Sequence, residues 1–168
     1  MDETQTSFYG MRFEIAFLRE KGKAFEGVFA RIMGHAFAGD FEPVRPYGSK
    51  GDLKCDGYRG SDGTVFQSYA PDTMKLDQLL AKIDEDFHGA ISHWGTRMRR
   101  WAFVHNDSRG LPAEATRKLV DLREANPAVA IDVIGYPEMH QIVMGLALHH
   151  LQDLFGDVPS QRTMEKLR

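Results

Sequence analysis

The residues best suited to chemistry lie in two neighbouring runs, Gly51-Asp52-Leu53-Lys54-Cys55-Asp56-Gly57-Tyr58 and Val65-Phe66-Gln67-Ser68-Tyr69-Ala70-Pro71. Between them stands Gly60-Ser61-Asp62-Gly63, a Gly-bounded four-residue loop between two short strand-like runs, which is a hairpin signal. A symmetric loop pairs Arg59 with Thr64, Tyr58 with Val65, and Asp56 with Gln67. Directly opposed residues on antiparallel strands project to one face about 5 Å apart. Tyr69 joins Gln67 on that face because strand side chains alternate with period two. Asp56, Gln67 and Tyr69 are therefore expected to converge. A carboxylate beside an amide oxygen is a donor set for a hard cation, above all Mg²⁺ that keeps several of its waters.

The flanking sequence supplies the elements that would hold this pair. Gly10 to Ala38 contains no Pro, and Phe25, Val28, Phe29 and Ile32 recur at helical spacing, with Gly22 as a break between two helices. Phe41 to Tyr47 is an extended stretch, followed by a polar turn at Gly48 to Asp52. Lys54 to Arg59 and Thr64 to Ala70 are the hairpin strands. Leu76, Leu79, Leu80, Ile83, Phe87, Ala90, Ile91 and Trp94 form a long apolar stripe and predict a helix. Lys75, Lys82, Asp86 and His93 are placed on one flank of it, roughly 80–120° from the stripe. Trp101 to His105 and Val129 to Ile134 read as buried strands, Pro112 to Ala125 as a helix ended by Asn126-Pro127, and Pro137 to Phe155 as a final helix.

The element order is α-β-β-β-α-β-α-β-α. A hairpin followed by βα alternation predicts an α/β fold whose mixed β-sheet, a central antiparallel hairpin plus parallel strands, is flanked by helices. The expected organisation is a single domain over 1–168, with a core at about 10–106, an α-β-α extension at about 107–156 and a poorly ordered tail at 157–168.

In this arrangement the sequence resembles the PD-(D/E)xK, restriction-endonuclease-like superfamily, whose core is α-β-β-β-α-β with an Asp and a (Glu/Gln)-x-Lys on the central hairpin. Asp52 and Asp56-Gly57 resemble the Gly-Asp-x-Gly-x-Asp-Gly run of its modified-DNA restriction branch, and Phe25-Glu26 matches a helical Phe-Glu pair there. Phe66-Gln67-Ser68-Tyr69-Ala70-Pro71, Lys82-Ile83, Asp86-Phe87, Gly89-Ala90 and Val104-His105-Asn106 are similar to the N-terminal nuclease-like part of ABC-three-component anti-phage defence systems. The resemblance covers roughly Phe25 to Asn106. It implies metal-dependent phosphodiester hydrolysis, with Mg²⁺ or Mn²⁺ held by Asp56, Gln67 and the carbonyl of Ser68. It also implies that Glu26 holds a metal-bound water or second ion. Tyr69 stands where the family carries its strand lysine, and a neutral phenol cannot replace an ammonium near pH 7. Some members move that lysine to the following helix, which makes Lys82 its counterpart here. Lys50, Lys54, Arg97, Arg99 and Arg100 are the cations expected to meet backbone phosphates, with salt-dependent binding as the consequence.

Composition sets the outer bounds. The chain has 168 residues, 42% hydrophobic and 27% charged, a net charge of −3 and one Cys. A chain this size buries about 70% of its surface without staples. A lone Cys excludes a disulfide framework and suggests a reducing, cytoplasmic setting. No run approaches the roughly 18 apolar residues of a membrane span, and Met1 to Tyr9 carries no leader pattern. The acidic balance argues against a passive nucleic-acid coat, though bound metal would supply positive charge to an enzyme. Cys55 is expected as a buried thiol turned away from Asp56, and His149-His150 as ordinary helix residues.

Three functions compete on these grounds. The first is a DNA endonuclease effector in anti-phage defence, acting on double-stranded DNA with partner defence proteins or as a homodimer. The second is an inactive nuclease-fold module that binds nucleic acid or a partner protein. The third is a metal-free adaptor using the apolar helix Met139 to Phe155 as a dimer face.

Overall fold

A computed structural model describes residues 1–46, 51 and 53–159. Tyr47 to Lys50, Asp52 and the segment 160–168 lie outside the described residues. The expectations for Lys50 and Asp52, the polar turn around them, and most of the tail fall there.

Helix α1 (Glu3–Arg19) is started by a capping box in which Asp2 and Gln5 satisfy each other's main-chain N–H groups. Its Tyr9, Phe13 and Phe17 recur every four residues and are all buried. Gly22, at φ +51°, turns the chain into α2 (Gly22–Ala36), and its N–H bonds to the carbonyl of Ala70 at 2.8 Å. The left-handed φ explains why a glycine stands at this break.

Strands β1 (Phe41–Pro43), β2 (Gly57–Arg59) and β3 (Thr64–Tyr69) are antiparallel neighbours. Strands β4 (Arg100–His105) and β5 (Ala130–Ile134) extend the sheet in parallel, giving five strands in the order β1-β2-β3-β4-β5. The crossovers are α3 (Leu76–Trp94), followed by a 3-10 turn at Gly95–Arg97, and α4 (Ala113–Ala125). Helices α5 (Tyr136–Met144) and α6 (Leu148–Phe155) close the chain. The protein is thus an α/β fold with a mixed sheet flanked by helices.

β3 and β4 are buried on both faces, as central strands beneath two helical layers must be. Phe66, Ala102 and Val104 pack with α1, α2, α5 and α6. Val65, Trp101, Phe103 and Ile131 pack with α3 and α4.

Two expectations need correction. The final helix is two, because Gly145 ends α5 with its N–H bonded to the carbonyls of Gln141 and Ile142. The first hairpin strand begins at Gly57 rather than Lys54, since Leu53 and Lys54 both adopt φ +56°. That left-handed conformation is incompatible with a strand and unfavourable for branched or long side chains.

Candidate active site at the hairpin

The expected register is present where the ladder is regular: Arg59 opposes Thr64, Tyr58 opposes Val65 and Gly57 opposes Phe66. At Asp56 the ladder departs from it. The Asp56 N–H donates to the Phe66 carbonyl at 2.8 Å, so Asp56 and Gly57 both face Phe66. Such an extra residue bends a strand and re-aims its side chain. The Asp56 carboxylate accordingly reaches past Gln67: its Oδ2 accepts the Ser68 N–H at 2.6 Å and the Ser68 hydroxyl at 2.9 Å. Asp56, Gln67 and Ser68 are all buried.

Gln67 shares its strand face with Val65 and Tyr69, towards α3, and its Oε1 has no hydrogen-bond partner among the described residues. A buried acceptor left unpaired costs about 1–3 kcal/mol, so this atom marks a place where a cation or its hydration water would be accommodated. Asp56 and Gln67 thus offer an anionic and a neutral oxygen donor at the open end of the hairpin, but not on the one face expected with Tyr69: Gln67 points towards α3, whereas Asp56 is held by the hydroxyl of Ser68, which alternates to the other face. That chemistry fits a hard divalent ion, which accepts carboxylate, amide and main-chain oxygens together with water.

α3 covers the segment leading into Asp56. Trp94 Nε1 donates to the Leu53 carbonyl at 3.1 Å, and the Tyr58 ring stacks on Trp94 with centroids 5.0 Å apart. The Lys54 stem lies over Gly89, where a Cβ would meet Lys54 Cγ at 2.7 Å. Its ammonium reaches Glu85 at 2.5 Å and Asp86 at 3.5 Å. Lys82 approaches the same Asp86 carboxylate at 3.0 Å.

Asp86 is fully buried, contrary to its expected place on the helix flank. The spacing from Leu79 is seven residues, two helical turns, which puts it in the middle of the stripe. The signal was present in that interval. Burial pushes the Asp86 carboxyl above its usual range, against the pull of Lys82 and Lys54. Lys54 is raised, chiefly by its bond to Glu85, whose own carboxyl is lowered by the same contact.

The other expected site residues are dispersed. Glu26 stands on α2, in the layer on the Phe66 face, and pairs with Lys23 at 2.8 Å. Tyr69 packs against Phe103, with ring centroids 6.3 Å apart. Arg97 and Arg99 are exposed beside the hairpin loop, where Arg99 Nη2 donates to the Ser61 carbonyl at 3.1 Å. Arg100 is paired with Asp132. Arg100 opposes Thr64 and Phe103 opposes Gln67, so this basic cluster is about 10 Å along the strands from the Gln67 level. Cys55 is buried as expected, its thiol donating to the Gly57 carbonyl at 3.0 Å.

No protein-family model, curated protein or solved structure matches this chain. No helix among the described residues is long and apolar enough to cross a membrane.

Proposed function

We propose that the chain is a metal-dependent nuclease that hydrolyses phosphodiester bonds in nucleic acid, with double-stranded DNA as substrate, and serves as an effector in bacterial anti-phage defence. This reading joins the restriction-endonuclease-like resemblance to one observation. Asp56 and Gln67 are buried at the same end of the hairpin, with the Gln67 amide oxygen unpartnered among the described residues. Mg²⁺ or Mn²⁺ bound there would polarise the scissile phosphate and bring the pKa of its water towards neutrality. The chain's own residues do the positioning. Ser68 fixes the Asp56 carboxylate through two hydrogen bonds. Lys82 is the ammonium in place of the strand lysine, steered by Asp86. Glu26, on α2 across the sheet from Gln67 and paired with Lys23, takes no part in this reading. Arg97 and Arg99 meet backbone phosphates, and Lys54 and Arg100 add to that field from within their ion pairs.

The test is plasmid nicking with Mg²⁺ or Mn²⁺, comparing the natural chain with Asp56→Ala and Lys82→Ala. Loss of cleavage in Asp56→Ala is expected, and unchanged cleavage would remove the site assignment. The second reading, an inactive nuclease-fold module, is favoured by Tyr69 at the strand-lysine position and by the Lys82 ammonium already held by Asp86. Gel-shift binding without any cleavage, in the presence of defence partners, would select it.

A further inference from the structure

A cavity of about 500 Å³ opens at the carboxyl ends of β4 and β5, where His105 of β4 stands beside Tyr69 of the hairpin. Chain connectivity creates it. β4 leads into α4, whose Ala115, Leu119 and Leu122 pack on the Trp101 face of the sheet. β5 leads into α5, whose Met139 and Val143 pack on the opposite face. Adjacent parallel strands whose connections leave to opposite faces part at their carboxyl ends, and open α/β sheets bind ligands in such crevices.

The last residue of β4 is His105, which is 3% exposed and lines the cavity. Its Nδ1 accepts the Asp107 N–H at 3.2 Å. The neutral ring therefore carries its proton on Nε2, and burial keeps the imidazole below its usual pKa and so neutral. Nε2 has no hydrogen-bond partner among the described residues. Gly135, just past β5, keeps the approach open: a Cβ there would lie 3.0 Å from His105 Nε2 and 3.5 Å from Glu138 Oε2. Glu138 is itself fixed, its Oε2 accepting the Gly135 N–H at 2.9 Å. A donor and a carboxylate acceptor thus border the small space beside one glycine. Leu119, Val133 and the Tyr136 ring add apolar wall, and Arg123, whose Nε donates to the Ile131 carbonyl at 2.9 Å, adds a cation.

We propose that this crevice binds the base of a nucleotide. His105 Nε2–H donates to a ring nitrogen or carbonyl on the base edge, and Glu138 accepts from the adjacent N–H. The apolar wall takes the flat ring, and Arg123 takes the phosphate. Every common nucleobase carries an acceptor and a donor side by side, whereas a sugar phosphate offers neither a flat apolar face nor a ring N–H.

The test is calorimetric titration of the full chain with GMP, AMP, CMP and UMP in EDTA, which separates binding here from any metal-dependent step at the hairpin. Ribose 5-phosphate and inorganic phosphate are the base-free probes. At least one nucleotide is expected to bind ten or more times tighter than ribose 5-phosphate. Gly135→Ala, whose φ of −110° suits alanine, should weaken that binding at least tenfold with an unchanged circular dichroism spectrum. Glu138→Gln should weaken it with a changed order of preference among the bases. A short single-stranded oligonucleotide that outcompetes the mononucleotide would assign the base to a bound strand; equal or weaker binding would assign it to a free nucleotide. Binding of no nucleotide above the level of ribose 5-phosphate, or full binding by Gly135→Ala, would overturn the proposal.

Discussion

The carboxylate of Asp56 is held by Ser68, one residue beyond the amide side chain it was expected to oppose: Asp56 Oδ2 lies 2.6 Å from the Ser68 nitrogen and 2.9 Å from its Oγ. These two hydrogen bonds close the open end of the hairpin and fix the proposed metal ligand. Asp56→Ala should cost about 1–3 kcal/mol, because it leaves the buried Ser68 N–H without an acceptor. Ser68→Ala keeps the main-chain bond and should cost no more than about 1 kcal/mol. Urea unfolding of the two variants checks the order. If Ser68→Ala were the more damaging, the main-chain bond would not be the one that matters.

Gly57, next to Asp56, is required by a close approach rather than by backbone conformation. A Cβ there would fall 2.4 Å from Cε2 and Cζ of the buried Phe41 ring. Gly57→Ala should destabilise by about 1–3 kcal/mol, the usual cost of overpacking. Phe41→Leu should recover part of that loss in the double variant, since contacting sites couple. Thermal melts of the two single variants and the double variant decide it.

Asp86 gives a pH dependence of defined sign. Burial raises its carboxyl in the folded chain, so above the unfolded value of about 3.9 the folded state binds the proton more tightly than the unfolded one. That contribution is fully present below pH 4 and is lost as pH rises through the folded value. Asp86→Asn lacks it. The variant's stability relative to the natural chain should therefore increase from pH 4 towards neutrality, by at most about 1.4 kcal/mol per pH unit. Denaturant midpoints at pH 4.5 and 7.5 measure the change, and a constant difference would contradict it.

Asp40 behaves in the opposite sense. The Ser61 hydroxyl and Arg59 bond its carboxylate, with Arg59 Nε at 2.7 Å, and lower its carboxyl to about 2. These bonds tie the start of β1 to the hairpin loop. Their stabilisation is complete above pH 4 and should disappear as the pH falls from about 4 to about 2. Asp40→Asn should be less stable than the natural chain at pH 7 and equal to it near pH 2. Fluorescence-monitored unfolding at both pH values reads the difference.

Local spacing in the sequence determined much of this protein. A symmetric four-residue loop set the register of Tyr58 with Val65, because turn geometry and length fix the pairing of the residues next to the turn. Helical periodicity placed Phe25, Phe29, Ile32, Leu79, Ile83 and Phe87 in the core, and β-branched and aromatic runs marked the parallel strands. Tertiary packing decided what short-range spacing does not specify. Trp94 and Gly89 of α3 hold Leu53 and Lys54 in a non-strand conformation, and Asp56 turns to Ser68 because the chain bends there. The crevice joining His105 to Gly135 and Glu138 exists because two helices leave neighbouring strands for opposite faces of the sheet. Side chains that meet across the fold do so through the docking of whole elements, and periodicity along one element carries no information about that docking.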